Sequence, residues 1–206
     1  MATTDGRPAS PATLLLEPGR GTMSGSTDRY EKRIADLEGL YRDEEAFAAV
    51  LRSSGDALAY WVETSIVEHG PGALSIGIST LLPGRVGEEF AMTRGHIHAD
   101  PVHAELYYGL SGHGVMLLET TTGDTRALEI TPGVAVHVPG HWIHRSVNTG
   151  DEPFSTLFCY ATDAGQDYSV IGDAGGMRSL VVATGDGWGL RDNPDHVGYR
   201  TSGAGR

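Results

Sequence analysis

Nine short runs of β-forming residues between Ala57 and Val182 constrain this chain more than any other feature. They read "LAYWVETSIV", "ALSIGISTLL", "EEFAMTRGHIH", "AELYYGL", "GVMLLET", "RALEI", "VAVHVP", "HRSVNT" and "FSTLFCYA", with Gly, Pro, Asp and Asn between them. The spacing is about one strand per ten residues, which leaves no room for crossover helices. It predicts an all-β antiparallel sandwich or barrel rather than a βαβ sheet. A chain of 206 residues suits one domain with a real core. Its 29 glycines fit many tight turns. There is no repeat of solenoid type.

The flanks have a different texture. Residues 1–28 are rich in Gly, Ser, Thr and Pro and lack periodicity, so they read as a disordered leader, with Met1 or Met23 as the start. "DRYEKRIADLEGLY" sets Tyr30, Ile34, Leu37 and Tyr41 at helical spacing with Asp28 placed to cap, and predicts a short N-terminal helix. From residue 186 the chain is polar and Gly-rich, the pattern of a loosely packed tail in which Trp188 and Tyr199 can dock. The expected organisation is a leader over 1–28, one domain over 29–185 and a tail over 186–206.

Charge and cysteine usage exclude several functions. With 27 acidic against 15 basic residues the net charge is −12, and a phosphate backbone would meet no basic face, so no nucleic acid is expected as partner. The single Cys159 permits no intrachain disulfide, and its apolar setting reads as a buried structural thiol in a reducing compartment. No apolar run approaches the ~20 residues of a membrane span. "ATLLLEP" is too short, and lacks the basic flank, for a signal peptide. A cytoplasmic protein without a membrane partner is the expectation.

Seven of the nine histidines fall between His96 and His144. In extended chain, residues two apart share a face, so His96 and His98 project together. Glu105 follows a Pro-containing turn, and a returning strand can set it opposite the pair. Imidazoles plus one carboxylate suit a borderline divalent ion. Val134, Val136 and Val138 alternate with Ala135 and His137, "PG" makes a turn, and His144 sits on the next strand. His103, His137 and His141 read as surface or supporting residues. Strand alternation turns Arg94 and Arg145 away from the site, as solvated arginines.

The arrangement G-HxH-x6-E-x6-G followed by G-x5-P-x4-H-x3-N resembles the paired motifs of the cupin superfamily. Its positions here are Gly95, His96, His98, Glu105 and Gly112, then Gly133, Pro139, His144 and Asn148. "VGEEFAMTRGHIH", "AELYYGLSGHGVMLLE", "HVPGHWIHRSVNTGDEPF" and "TDAGQDYSVI" together are similar to the cupin-type glucose-6-phosphate isomerases of archaea and some bacteria. "DLEGLYRDEEAF" resembles that family's opening helix. The similarity runs over roughly residues 30 to 183, and its motifs agree in order and spacing.

The resemblance implies a jelly-roll antiparallel β-barrel and one divalent metal per chain on His96, His98, Glu105 and His144. Fe2+ or Mn2+ are its leading metals, with Zn2+, Ni2+ and Co2+ possible. It implies a metal-dependent aldose–ketose isomerase that interconverts glucose 6-phosphate and fructose 6-phosphate through an enediol-type intermediate. Glu105, Tyr107, Gln166 and Tyr168 would meet the sugar. Thr93, Gly95, Tyr160 and a hydroxyl of Ser79 or Thr80 would hold its phosphate. A homodimer is expected by analogy.

One position departs from the family. Its "AGHDY" reads "AGQDY" here, so Gln166 stands where a histidine would assist near the ring oxygen. Glutamine hydrogen-bonds but does not titrate near neutral pH. That leaves the exact substrate open. Other readings on the same scaffold are an enzyme of another sugar phosphate, an Fe(II) dioxygenase, and a non-catalytic sugar-binding cupin. Many cupins also carry glycine where this chain has His141.

Overall fold

The computed structural model describes residues 9–200. A short hairpin, β1 (Leu16–Glu17) and β2 (Thr22–Met23), leads into β3 (Asp28–Arg33) and α1 (Glu44–Ser54). Then come β4 (Leu58–Ile66), β5 (Leu74–Leu81), β6 (Arg85–Val86), β7 (Glu89–Phe90) and β8 (Glu105–Ser111). The second half holds β9 (Gly114–Thr120), β10 (Thr125–Ile130), β11 (Ala135–Val138), β12 (Trp142–Asn148) and β13 (Phe154–Ala161). A one-turn helix α2 (Ser169–Asp173), β14 (Ser179–Thr184) and β15 (Gly187–Asp192) complete it.

Every strand pairing is antiparallel. Six strands form one wall in the order β11-β8-β13-β5-β4-β3. The opposing wall is β10-β9-β12, extended past β12 by bridges from Met92 to Val147 and from His96 to His144. The alternation of the strands packs Tyr107, Met116, Leu118 and Phe158 into one core with Tyr60, Val62 and Leu81. This is the expected jelly-roll type of architecture, with the barrel interior between the two walls.

A third layer explains the burial of β9. Strands β15, β14, β7 and β6 form a four-stranded sheet. The buried Glu119 carboxylate on β9 accepts the backbone N–H groups of Arg178 and Ser179 at 2.8 Å each and the Tyr199 hydroxyl. All but the last residue of β9 are therefore buried, which single-sided alternation does not predict.

Three expectations are corrected at the flanks. The helix expected over 29–42 is β3 followed by a 3-10 turn at Ile34–Leu37. Pairing with β4, from Asp28 opposite Thr64 to Arg33 opposite Leu58, outweighs the local helical spacing. The N-terminal helix lies one segment later, where the Asp43 side chain accepts the Ala46 N–H at 2.8 Å and caps α1. The supposed leader is ordered from residue 16: β1 and β2 pair, and Glu63 accepts the Met23 N–H at 2.7 Å. The supposed tail supplies β15, paired along its length with β14, and the Tyr199 anchor. Residues 1–8 and 201–206 of the leader and tail lie outside the described residues.

Candidate metal centre and substrate cavity

The four residues expected to bind metal converge from both walls. Glu105 opens β8 on the six-stranded wall, and His144 lies on β12 of the other. The segment carrying His96 and His98 is tied to β12 by two backbone bonds, His96 N–H to the His144 carbonyl at 3.1 Å and His144 N–H to the His96 carbonyl at 2.9 Å. Glu105 thus reaches the histidine pair from the facing sheet, not from a strand paired with it. One ligand atom from each of the four lies within 4.8 Å of every other. Donors ~2.1 Å from a common ion sit about 3 to 4.2 Å apart, so the spread is near that of a coordination shell.

Tautomers make the fit specific. His98 Nδ1 faces the His103 carbonyl at 3.0 Å, and His144 Nδ1 faces the Trp142 carbonyl at 3.1 Å. A carbonyl only accepts, so each Nδ1 carries a proton and donates. In a neutral ring that leaves Nε2 with a lone pair. Both Nε2 atoms face Glu105 Oε2, at 3.2 Å and 3.0 Å. Lone pairs facing a carboxylate call for a positive charge between them. His96 Nε2, 3.9 Å from the same oxygen, is buried without a hydrogen-bond partner. Two carbonyls that orient imidazoles, with an orphaned third nitrogen, are the surroundings a metal-binding site builds.

The electrostatics agree. Burial opposes ionisation of Glu105, yet the His144 and His98 rings that face it hold its carboxyl down at about 2, because the anion is the form that attracts positive charge into the gap. Burial and the neighbouring His144 push His96 down to about 3, so its ring stays neutral as a ligand must. Burial lowers His98, but the facing Glu105 carboxylate and the His103 carbonyl outweigh it and raise the group: the carboxylate favours a positive charge at this Nε2, which a proton supplies without metal and a bound cation would supply in its place.

A cavity of about 380 Å³ opens beside the cluster. Of the residues expected to meet a ligand, Ser79, Thr93, Gly95, Tyr107, Tyr160, Gln166 and Tyr168 line it, together with Glu105, His96 and His144 of the cluster. Burial, with the adjacent Glu105 carboxylate, raises the Tyr107 phenol well above its usual range, so it stays protonated. Gln166 joins two tyrosines: its Oε1 accepts the Tyr168 hydroxyl at 2.6 Å, and its Nε2 approaches the Tyr160 hydroxyl at 3.4 Å. Thr93 Oγ1 accepts the Ser146 N–H at 3.2 Å and donates to the Ser146 carbonyl at 3.5 Å, a long bond. A ligand oxygen at normal hydrogen-bond distance would compete well for that proton.

Three expectations fail here. Thr80 does not line the cavity: it points to the other face of β5, buried against Ser155 Oγ at 2.8 Å, which leaves Ser79 as the hydroxyl of that pair. Arg94 is not a solvated surface residue. Residues 93–95 belong to no strand, so alternation does not govern them, and Thr93, Arg94 and Gly95, the last at φ 72°, all line the cavity. Arg145 is not a solvated surface residue either: it borders the cavity and packing covers it to 4% exposure. Its guanidinium donates to the Arg94 carbonyl at 2.7 Å and to Met92 Sδ at 3.0 Å. Tyr30 and Asp28 were also missed as lining residues, because the segment read as leader and helix is a strand at the cavity rim. Helical and strand spacing compete over so short a run, and only pairing with β4 decides. His103 contributes its carbonyl rather than its ring, and His137 is exposed. His141 is the one non-glycine residue of positive φ among the described residues, at 68°, where glycine would sit without strain.

A family model described as "Glucose-6-phosphate isomerase (GPI)" matches residues 31–197. A protein of Rhizobium meliloti (strain 1021) named putative glucose-6-phosphate isomerase 2 is 47% identical over 179 residues, covering 84% of this chain and 90% of its own. The glucose-6-phosphate isomerase of Sinorhizobium medicae (strain WSM419) is 45% identical over 184 residues, covering 89% and 86%. That of Thermococcus litoralis is 41% identical over 163 residues, covering 79% and 85%. Among solved structures, oxalate decarboxylase from Bacillus subtilis aligns over 53% of this chain and 27% of its own, at 23% identity and a TM-score of 0.42.

Proposed function

The chain belongs to the glucose-6-phosphate isomerase (GPI) family, and from that premise we propose a metal-dependent aldose–ketose isomerase that interconverts glucose 6-phosphate and fructose 6-phosphate through an enediol-type intermediate. The observation that carries the metal dependence is the pair of imidazoles whose Nδ1 protons are committed to carbonyls, so that both Nε2 lone pairs meet one buried carboxylate. His96, His98, Glu105 and His144 would hold one divalent ion. Histidine plus carboxylate accepts Fe2+ or Mn2+, our preferred metals, and also Zn2+, Ni2+ or Co2+. A bound divalent cation supplies Lewis-acid stabilisation of the negative charge that develops on the O1 and O2 oxygens.

The chain's own residues do the rest. Glu105 carries the hydrogen between C1 and C2, for which its ionised carboxylate is ready. Tyr107, kept protonated, donates to a sugar oxygen on the same side. Gln166 and Tyr168 face the sugar ring at the cavity mouth and orient it without titrating. Ser79, the Thr93 hydroxyl, the Gly95 N–H and Tyr160 grip the 6-phosphate, local donors that suit a chain of net charge −12. The same reading makes the enzyme a cytoplasmic homodimer acting in glycolysis or gluconeogenesis. Among the described residues no helix is long and apolar enough to cross a membrane.

The test is an assay of the purified protein with fructose 6-phosphate, after chelation and after adding back Fe2+ or Mn2+. The expected outcome is isomerisation that chelation abolishes and the metal restores. Isomerisation unaffected by chelation sinks the metal dependence. Metal binding without isomerisation points to another sugar phosphate, a dioxygenase or a sugar-binding role.

A further inference from the structure

Two cations line the substrate cavity, one buried and one partly exposed. Arg145 is the buried one, at 4% exposure, with its two terminal nitrogens donating to the Arg94 carbonyl and to Met92 Sδ and its Nε unpartnered. The Arg94 guanidinium lies over the ring of Tyr168, 5.0 Å from its centroid, and makes no ion pair among the described residues. A guanidinium stacked on an aromatic face uses only its own face. Its N–H donors, which radiate in the guanidinium plane, stay available to an anion.

The stacking partner is itself braced. The Tyr168 hydroxyl donates to Gln166 Oε1 at 2.6 Å. The backbone of Arg94 is pinned by Arg145 at 2.7 Å, and the Gly95 turn keeps the residue on the cavity wall. The cation is therefore held at both ends, next in sequence to the Thr93 hydroxyl and the Gly95 N–H. The other charges that line the cavity, Asp28 and Glu105, are carboxylates. The Glu105 charge would be offset by the divalent ion beside it, while Asp28 repels an incoming dianion, so a fixed cation next to the phosphate donors favours a phosphorylated ligand over a neutral one.

We propose that Arg94 is a specificity-determining residue of this site: it binds the phosphate of the sugar phosphate directly, presented by the Tyr168 ring that Gln166 braces. The identity of the sugar rests on the isomerase reading above, but the preference for a phosphorylated ligand does not.

The experiment compares wild type with Arg94→Gln and Arg94→Lys, each loaded with Mn2+ and checked for equal metal content and melting temperature. Calorimetry measures binding of fructose 6-phosphate and of inorganic phosphate at low and high salt, with no turnover required. Kinetics then give kcat and KM. Arg94→Gln is expected to weaken both ligands about tenfold or more and to flatten their salt dependence, the scale of one lost bond to a charged group. KM should rise by the same factor with kcat changed less than about twofold, because the phosphate is remote from C1 and C2. Arg94→Lys should recover part of the affinity, since it keeps the charge and loses the planar fork. A wild type that isomerises while Arg94→Gln binds both ligands unchanged overturns this inference and leaves the isomerase reading intact. A wild type that does not isomerise, yet loses phosphate binding on Arg94→Gln, overturns the isomerase reading and supports Arg94. A wild type that binds neither ligand overturns both.

Discussion

His98 is buried to 4% exposure, with both ring nitrogens engaged, and that makes it the sharpest residue on which to test the metal centre. His98→Ala removes one of four donors and leaves Glu105 with a less complete shell, so bound metal per chain should fall at least tenfold by elemental analysis. Unchanged metal content would mean that the ligand assignment is wrong. Gln166 invites a different measurement. Its amide contacts two tyrosine hydroxyls and cannot titrate near neutrality, so the wild-type profile of kcat/KM against pH should lack an ionisation from this position. Gln166→His should introduce one near the ordinary imidazole range. Positioned acid–base groups contribute ~10²–10⁴-fold where the geometry suits them, and less elsewhere. If rate and profile are both untouched, position 166 serves as a brace rather than in the chemistry.

At the scale of elements, the turn at Gly95 places the site more than any strand does. A Cβ there would lie 2.8 Å from Ile171 Cδ1, 2.9 Å from the His144 carbonyl oxygen and 3.0 Å from Arg145 Cβ. The carbonyl is backbone already bonded to the His96 N–H and cannot give way. Gly95→Ala also forces an alanine to φ 72°, costing about 1 to 2 kcal/mol before any clash. We expect a lower melting temperature and weaker metal retention together, because His96 is the next residue. A variant that melts and binds metal as wild type does would show that the turn does not position the cluster.

At the scale of the whole molecule, the barrel is closed from outside by the segment read as a tail. Glu119 is buried to 1% exposure and bonded to the Arg178 and Ser179 amides and the Tyr199 hydroxyl, so one carboxylate fastens the outer layer to β9. Tyr199→Phe deletes one bond to that charge and keeps the ring. The expected loss is about 1 to 2 kcal/mol in denaturant unfolding, with metal content unchanged. An unaltered unfolding midpoint would mean that Tyr199 only rests on the surface. The outer layer also explains Arg145. Read as a solvated arginine, it borders the cavity instead and is buried against the backbone of residue 94.

The sequence alone determined what is local. Strand runs at regular spacing made the antiparallel barrel legible, since alternation along each run is set by the pleat itself. His96, His98, Glu105 and His144 were legible because histidine, carboxylate and turn residues in that order have few other uses, and Tyr107 followed from sharing Glu105's face. Tertiary structure decided what depends on a partner far along the chain. Pairing with β4 made a strand of Asp28–Arg33 against its helical spacing. A covering layer made a buried positioning residue of Arg145, and the absence of strand pairing over residues 93–95 let Arg94 join the cavity wall. The choice of Ser79 over Thr80 rested on which face of β5 looks inward. Periodicity reports which residues share a face, but what packs on that face comes from segments distant in sequence, and their contacts carry no local signature.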